Sequence, residues 1–595
     1  MSIDDRKITE VPNLAKSSVS PAILLPSVLG SDNYNVYSRD LFGGMPKSHA
    51  TKVVAASDTP NATSRADYEC DGTADNVEIQ AALDALPAGG GTVVLLEGTY
   101  NLVTTVTMGN DDNLKGRGWA TVLDVSGWTA AVSSVIMGDR CSLANLKISG
   151  SIVPLHDYFE GIAVGHDCLI QNVWLSQIGH GISVQSKHNV HINDCKFDQL
   201  KSISGFSACI NVSDVDSHEV FINNIYAEDC DRGIEIENSA LNVFCRGGYL
   251  KDIADMTLDV HTHNTFGGCQ NVLFDGFYLE NTSSVNLSGL VGDRAANLTA
   301  RNITVVTPIN LDASHGVVQS VYADKLLLDN IVMEYTGHGR SIYAYHNTDV
   351  VIQGCKCTSD AVQAVLLDDS QHVVIRDSKF VGLGLRLQSS VAPNQTEHLV
   401  FEGNYVDSTV SPVLQIETGA LKYRILNNHL VAVGAPNYGI EIQAGSEDID
   451  IIGNYIEGAG IYSIRCYQTR GKIFHNTVDK RIQVEAAATS VWIHHNYIDE
   501  LGIGDAGSTT PRYFMNHVTT DNAGFASAMG QIYSYSIANV TNPPTDAEID
   551  GIFGTPRDVG SGFIGIINDN GGNLLFWQCI SDNTNWWYQL MTKAV

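Results

Sequence analysis

The chain has 595 residues, with 35 basic side chains against 66 acidic ones and a formal net charge of −31. A balance of that sign repels phosphate backbones and anionic lipid, so neither nucleic acid nor a membrane surface is an expected partner. No apolar run approaches bilayer-spanning length, and membrane insertion is excluded on the same reading.

The opening residues, MSIDDRKITEVPNLAKSS, place charges and a proline where an export signal needs an apolar core. The chain is therefore expected to be made in a cytoplasm without secretion, and a role outside the cell requires release by lysis. Residues 1–60 show no repeat. They carry Leu24, Leu25, Val28, Leu29, Tyr34, Val36, Tyr37, Leu41 and Phe42, too apolar for a solvated linker and too few for a core, so this segment is expected to dock against a partner.

Next comes TADNVEIQAALDAL, a predicted helix with Thr73 as N-cap and Ile79, Ala82, Leu83 and Leu86 on one apolar stripe. Pro87 and Gly89 to Gly91 end it, and TVVLLEGTY begins a strand. The glycine run follows a helix and lacks the Lys-Ser/Thr ending of a phosphate loop. No cofactor is expected.

From Cys141 to Ala506 a phrase recurs: a short alternating strand, an Asn or Asp turn, another strand. The turn asparagines Asn404, Asn428, Asn454, Asn476 and Asn496 are spaced by 24, 26, 22 and 20 residues. Asn172, Asp194, Asn224, Asn302 and Asn330 continue the series upstream. A period of roughly 20–30 residues built from strands alone selects a parallel β-helix among the solenoids. Asparagine is expected at the corners because it tolerates the left-handed backbone, and stacked copies can exchange side-chain hydrogen bonds. The first coil of a solenoid exposes apolar core and unpaired strand edge, so the early helix is read as a cap. The 12 cysteines are scattered among apolar neighbours and show no paired metal spacing, so buried thiols are expected, without disulfides or a metal site. HHN at 494–496 is likewise read as a stacked corner.

The segment Asp71 to Tyr100, with DGTADN, IQAALDA, the glycine run and LLEGTY, resembles the opening motif of the pectate-lyase-like superfamily in the form common in bacteriophage tailspikes. Glu97 stands where the family usually has proline. The resemblance implies an all-β fold: a right-handed single-stranded parallel β-helix (solenoid) with an N-terminal capping helix and a small C-terminal β-rich domain. It also implies residues 1–60 as a virion-attachment segment, 61–507 as the capped helix carrying a polysaccharide site, and 508–595 as a trimerisation or receptor-binding domain. Expected partners are two further copies in a homotrimer, phage tail or virion adaptor proteins, and host surface polysaccharide, with the protein located on the virion tail.

Past Ser508 the pattern changes. TDAEIDGIFG opens with a capping box, Thr545 to Glu548, and GSGFIGIINDNGGNLLFWQCISDNTNWWYQL reads as a hairpin. Trp577, Trp586, Trp587 and Tyr588 are read as an intersubunit core in preference to a sugar-stacking surface.

Aligning the strand after each turn puts the first and third letters inward and the second and fourth outward. ISVQ, INVS, IEIE, LDVH and IYAY then stack Glu235 beside Asp259 and Glu237 beside His261, with His263 two residues on. Like charges opposite one another are destabilising in a sheet, so a substrate, a cation or a shared proton is expected to offset them. Diagonal neighbours such as Glu237 and Asp259 would lie about 7–8 Å apart, within the roughly 6.5–9.5 Å of inverting glycosidases. One of Glu235, Glu237 and Asp259 is expected to protonate the glycosidic oxygen and another to activate water. His261 and His263 would hold sugar hydroxyls, and Tyr343 and Tyr345 would stack on pyranose rings. Two alternatives compete: a non-catalytic receptor-binding spike, and a polysaccharide lyase, against which the acidic surface argues because it repels uronates unless calcium intervenes. The pair Glu441 and Arg465 neutralises itself and reads as structural.

Overall fold

The structure, a computed structural model, describes residues 51–591 apart from 63–64, 129–131, 152–158, 203–204, 263–267, 283–287, 308–315, 336–339, 359–362, 383, 389–396, 434–437, 501–502, 506–511, 515, 521–533, 538–542, 554–560, 570–574 and 583. The apolar N-terminal residues expected to dock lie outside the described residues.

Successive strands pair in parallel with the strand one coil away, producing a β-solenoid of about 15 turns. One wall is a ladder running from Val106–Thr107 through Arg232–Glu237 and Met256–His261 to Ile503–Asp505. The rest of each coil belongs to a 33-stranded sheet. Period-two alternation sends one aliphatic residue per coil to the same interior position. Ile210, Ile234, Leu258, Leu290, Val318 and Ile342 stack in register and are all buried. Burying each such side chain contributes about 1.5–3 kcal/mol, and the column continues coil after coil. All 12 cysteines are free and buried, 11 of them in the solenoid core and Cys579 in the C-terminal sheet.

The helix spans Asn76–Asp84, and its N-cap is Asp75, not Thr73. The Asp75 carboxylate instead accepts from the backbone N–H groups of Gly72 (2.8 Å) and Asn101 (2.7 Å), tying the helix to the first coils. Ile79, Ala82 and Leu83 are buried as expected, and Leu86 is half-buried against the core. The helix packs on Thr51–Ala55, Thr92–Leu95 and Val106–Thr107, at the start of the solenoid. Thr51–Ala55 precedes the helix and pairs in parallel with Thr92–Leu95.

The turn asparagines divide into two ladders, which corrects their uniform assignment to corners. Asn172, Asn224, Asn302 and Asn330 do adopt positive φ, 53° to 54°, and link outward side chain to side chain, as from Asn330 to Asn302 at 2.9 Å. In the later coils the left-handed residue is the preceding one, Gly403, Asn427, Gly453, His475 or His495. Asn404, Asn428, Asn454, Asn476 and Asn496 then turn inward and are almost fully buried. From Asn428 onward each Oδ1 accepts from the backbone N–H and the Nδ2 of the asparagine one coil earlier, at 2.9–3.0 Å, and the Asn404 Oδ1 accepts from the Ser378 backbone N–H at 3.0 Å. Inside the corner the amide satisfies buried backbone groups, a stronger requirement than left-handed tolerance.

Toward the C-terminus a helix, Asp546–Phe553, opens with the expected box: the Thr545 N–H donates to Glu548 at 2.8 Å and the Glu548 N–H to the Thr545 hydroxyl at 3.4 Å. The expected hairpin is larger: Ser561–Asp569, Leu575–Asp582 and Trp586–Met591 form an antiparallel meander, with Ser534–Ile537 added in parallel. Trp577 and Trp586 are buried and Trp587 and Tyr588 are exposed.

Candidate active site

The register on the ladder wall places Glu235 opposite Asp259 and Glu237 opposite His261 on adjacent coils. Asn211 lies opposite Glu235 one coil earlier. Ile234, Ile236, Leu258 and Val260 point into the core, so the intervening residues must leave on the outer side. These outward side chains are nonetheless covered. Glu235 is 4% exposed and Asp259 0%.

Part of the compensating charge comes from Arg232, which the strand alignment passed over. Arg232 begins the same strand as Glu235; it donates through one terminal nitrogen to that carboxylate and through Nε to Asp255 at 2.9 Å. Its guanidinium lies 4.7 Å from the Phe206 ring. Asn211 Nδ2 donates to Glu235 (3.0 Å) and to Glu237 (2.9 Å); its place in the shared register was the signal that could have found it. His261 contacts Asp259 through Nδ1 at 2.7 Å and Glu237 through Nε2 at 3.2 Å.

Burial works against a charged imidazole, but the two carboxylates outweigh it and push His261 from its ordinary 6.5 up to about 10. It is therefore an imidazolium at neutral pH. Burial also raises the Glu235 carboxyl above its ordinary value; Arg232 opposes the rise, while Glu237 and Asp259 add to it. The second oxygen of Asp259, Oδ1, is buried with no hydrogen-bond partner among the described residues. Arg232 and His261 thus offset the carboxylate repulsion from within the chain. The imidazole ring sits between Glu237 and Asp259, where an inverting glycosidase would keep its water. Donor atoms of Glu235, Asp259 and His261 lie within 4.8 Å of one another, a spacing a cation could use, but the imidazolium already supplies positive charge there.

Residues 319–482 match the family model described as the right handed beta helix region. The coil is right-handed. Along this β-helix the same outward columns run on to Tyr343 and Tyr345, three coils beyond Asp259 and His261, or about 14 Å at one strand spacing per coil. Their rings stack at 6.3 Å, and the Arg340 guanidinium lies 4.9 Å from the Tyr343 ring. His263 lies outside the described residues. Arg465 contacts both Glu441, at 3.4 Å, and Glu485, at 2.7 Å.

Similar solved β-helices include a mutant tailspike protein of E. coli bacteriophage HK620 in complex with pentasaccharide, 11% identical over 73% of this chain and 74% of that one, with a TM-score of 0.36. The tailspike gp61 of Pseudomonas phage phi297 is 13% identical over 65% and 74%, TM-score 0.35. A mannuronic acid specific polysaccharide family 6 lyase from human gut microbiota is 13% identical over 57% and 80%, TM-score 0.35. No curated protein matches the sequence. No helix among the described residues is long and apolar enough to cross a membrane.

Proposed function

We propose that this chain is a bacteriophage tailspike that binds host surface polysaccharide, lipopolysaccharide O-antigen or capsule, and hydrolyses it on the wall carrying Glu235 and Asp259. The observation that carries the reading is a carboxyl raised above its ordinary pKa by burial, beside a neighbour one coil away whose Oδ1 is buried with no hydrogen-bond partner among the described residues. A carboxyl whose proton is retained by burial is suited to the general-acid role. Glu235 donates the proton to the glycosidic oxygen, and the Asp259 carboxylate, too close to Glu235 to hold a water between them, stabilises the developing cation. Arg232 and Asn211 hold Glu235 in place, and His261 holds Asp259. Tyr343 and Tyr345, on the same columns, contact sugar rings further along. The spike is a homotrimer attached to the virion through residues 1–60 and clasped by residues 508–595, made in the host cytoplasm and released by lysis. The opening motif from Asp71 to Tyr100 supports this assignment.

Reducing-end release from a panel of bacterial surface polysaccharides tests it. Glu235→Gln and Asp259→Asn should each lower turnover by about 10²-fold or more while retention on the polysaccharide persists. Undiminished cleavage in Glu235→Gln, Glu237→Gln and Asp259→Asn alike would overturn the catalytic part.

A second reading, a binding spike without turnover, is favoured by the closed network at His261, whose two ring nitrogens both contact carboxylates. Tight retention with no new reducing ends would select it, and products with near-ultraviolet absorbance from an unsaturated sugar end would select elimination.

A further inference from the structure

Near the last coils the outer corner carries histidines on two successive turns. His475 and His495 occupy left-handed positions, with φ of 56° and 55°. His494 ends the strand Val491–His494, opposite Phe474, and its ring stacks on that phenyl at 4.7 Å. Consecutive residues of a strand point to opposite faces. The left-handed turn at His495 cancels that alternation and brings the two imidazoles together: their Nδ1 atoms are 2.8 Å apart and share a hydrogen bond, whose proton a bound ion would displace. The His475 ring lies 5.4 Å from that of His495 and 6.4 Å from that of His494. His475 and His495 are exposed, so a dissolved ion reaches both.

Two nitrogens bound to one ion at about 2.1 Å stand about 3.0 Å apart in cis positions at a right angle, and about 3.4 Å apart in a tetrahedron. The observed separation is nearer the first. We propose that His494 and His495, joined by His475 through rotation of its exposed side chain, form a surface site for a divalent transition ion with tetragonal preference, Cu²⁺ or Ni²⁺. Imidazole nitrogen is the ligand such ions favour, and the stack on Phe474 holds one ligand ring in position beforehand. His166, His188 and His218, by comparison, lie ring over ring, with centroids 4.3 and 5.0 Å apart.

The test is calorimetric titration of tag-free full-length protein with Ni²⁺ and, separately, Cu²⁺, with electron paramagnetic resonance of the copper form. One saturable ion per chain is expected, with nitrogen hyperfine structure. The double variant His494→Gln/His495→Asn keeps a residue suited to the left-handed corner. It should weaken the tightest site by more than about 100-fold, beyond what loss of an outer-shell partner commonly costs, with an unchanged circular dichroism spectrum. His475→Asn should weaken the site less. No saturable site in the parent protein, or an undiminished one in a folded double variant, would overturn the proposal.

Discussion

His261 is the residue on which the charge balance of the candidate site turns. It lies between Asp259 and Glu237, and removing one member of a buried ionic set leaves the others uncompensated, which costs about 3–5 kcal/mol. His261→Asn should therefore unfold several degrees below the parent protein in a thermal scan at pH 6. The pH dependence has a defined sign. The folded pKa, about 10, is raised above the ordinary 6.5, so the stabilisation is fully present below about pH 6.5 and is lost as pH rises toward 10. The melting gap between parent and variant should accordingly be widest at pH 6 and narrow by pH 9.5. A gap that stays constant or widens would show that His261 is not held as an imidazolium.

Among the elements, the inner asparagine ladder makes the strongest demand on sequence. Asn454 is 1% exposed; its Nδ2 donates to the Ile425 carbonyl, and its Oδ1 accepts from the Asn428 backbone and side chain. Asn454→Ala strands these buried groups and should destabilise the fold by about 2–4 kcal/mol, measured by denaturant unfolding. The neighbouring corner behaves differently. Gly453 has φ of 68°, in a column it shares with Asn427 and His475, and an added Cβ would meet only the movable Oδ1 of Asn427 at close range. Gly453→Asn should be nearly neutral, whereas Gly453→Val, forcing a branched residue into the left-handed region, should cost about 1–2 kcal/mol. Equal effects of the two substitutions would remove the distinction between inner and outer corner positions.

At the scale of the whole molecule, stability accumulates coil by coil from stacked aliphatic columns, without covalent ties. The 12 buried free thiols should resist a thiol reagent until the protein unfolds, and reductant should leave the melting temperature unchanged. Sedimentation should give the mass of three 64.2 kDa chains if the proposed trimer is correct. The coil and its register were legible in the linear chain, since whether Ile234 faces in and Glu235 out depends only on strand alternation. The recurring period also aligned Glu235 with Asp259 before any coordinates. What alternation and period do not carry is the contribution of the connecting segments. Phe206 and Asp255 lie in links of irregular length and Arg232 at the first position of its strand, so the contacts of Arg232 with both and with Glu235 followed no pattern along the chain. Nor does period distinguish a left-handed corner from the inward asparagine that follows it, because the choice rests on which buried backbone groups need a partner. The sequence by itself thus determined the solenoid and its neighbouring carboxylates. Only the tertiary structure decided that they are covered and paired with Arg232 and His261, and that the Glu235 carboxyl is raised by burial, because burial and side-chain contact are properties of the assembled coils.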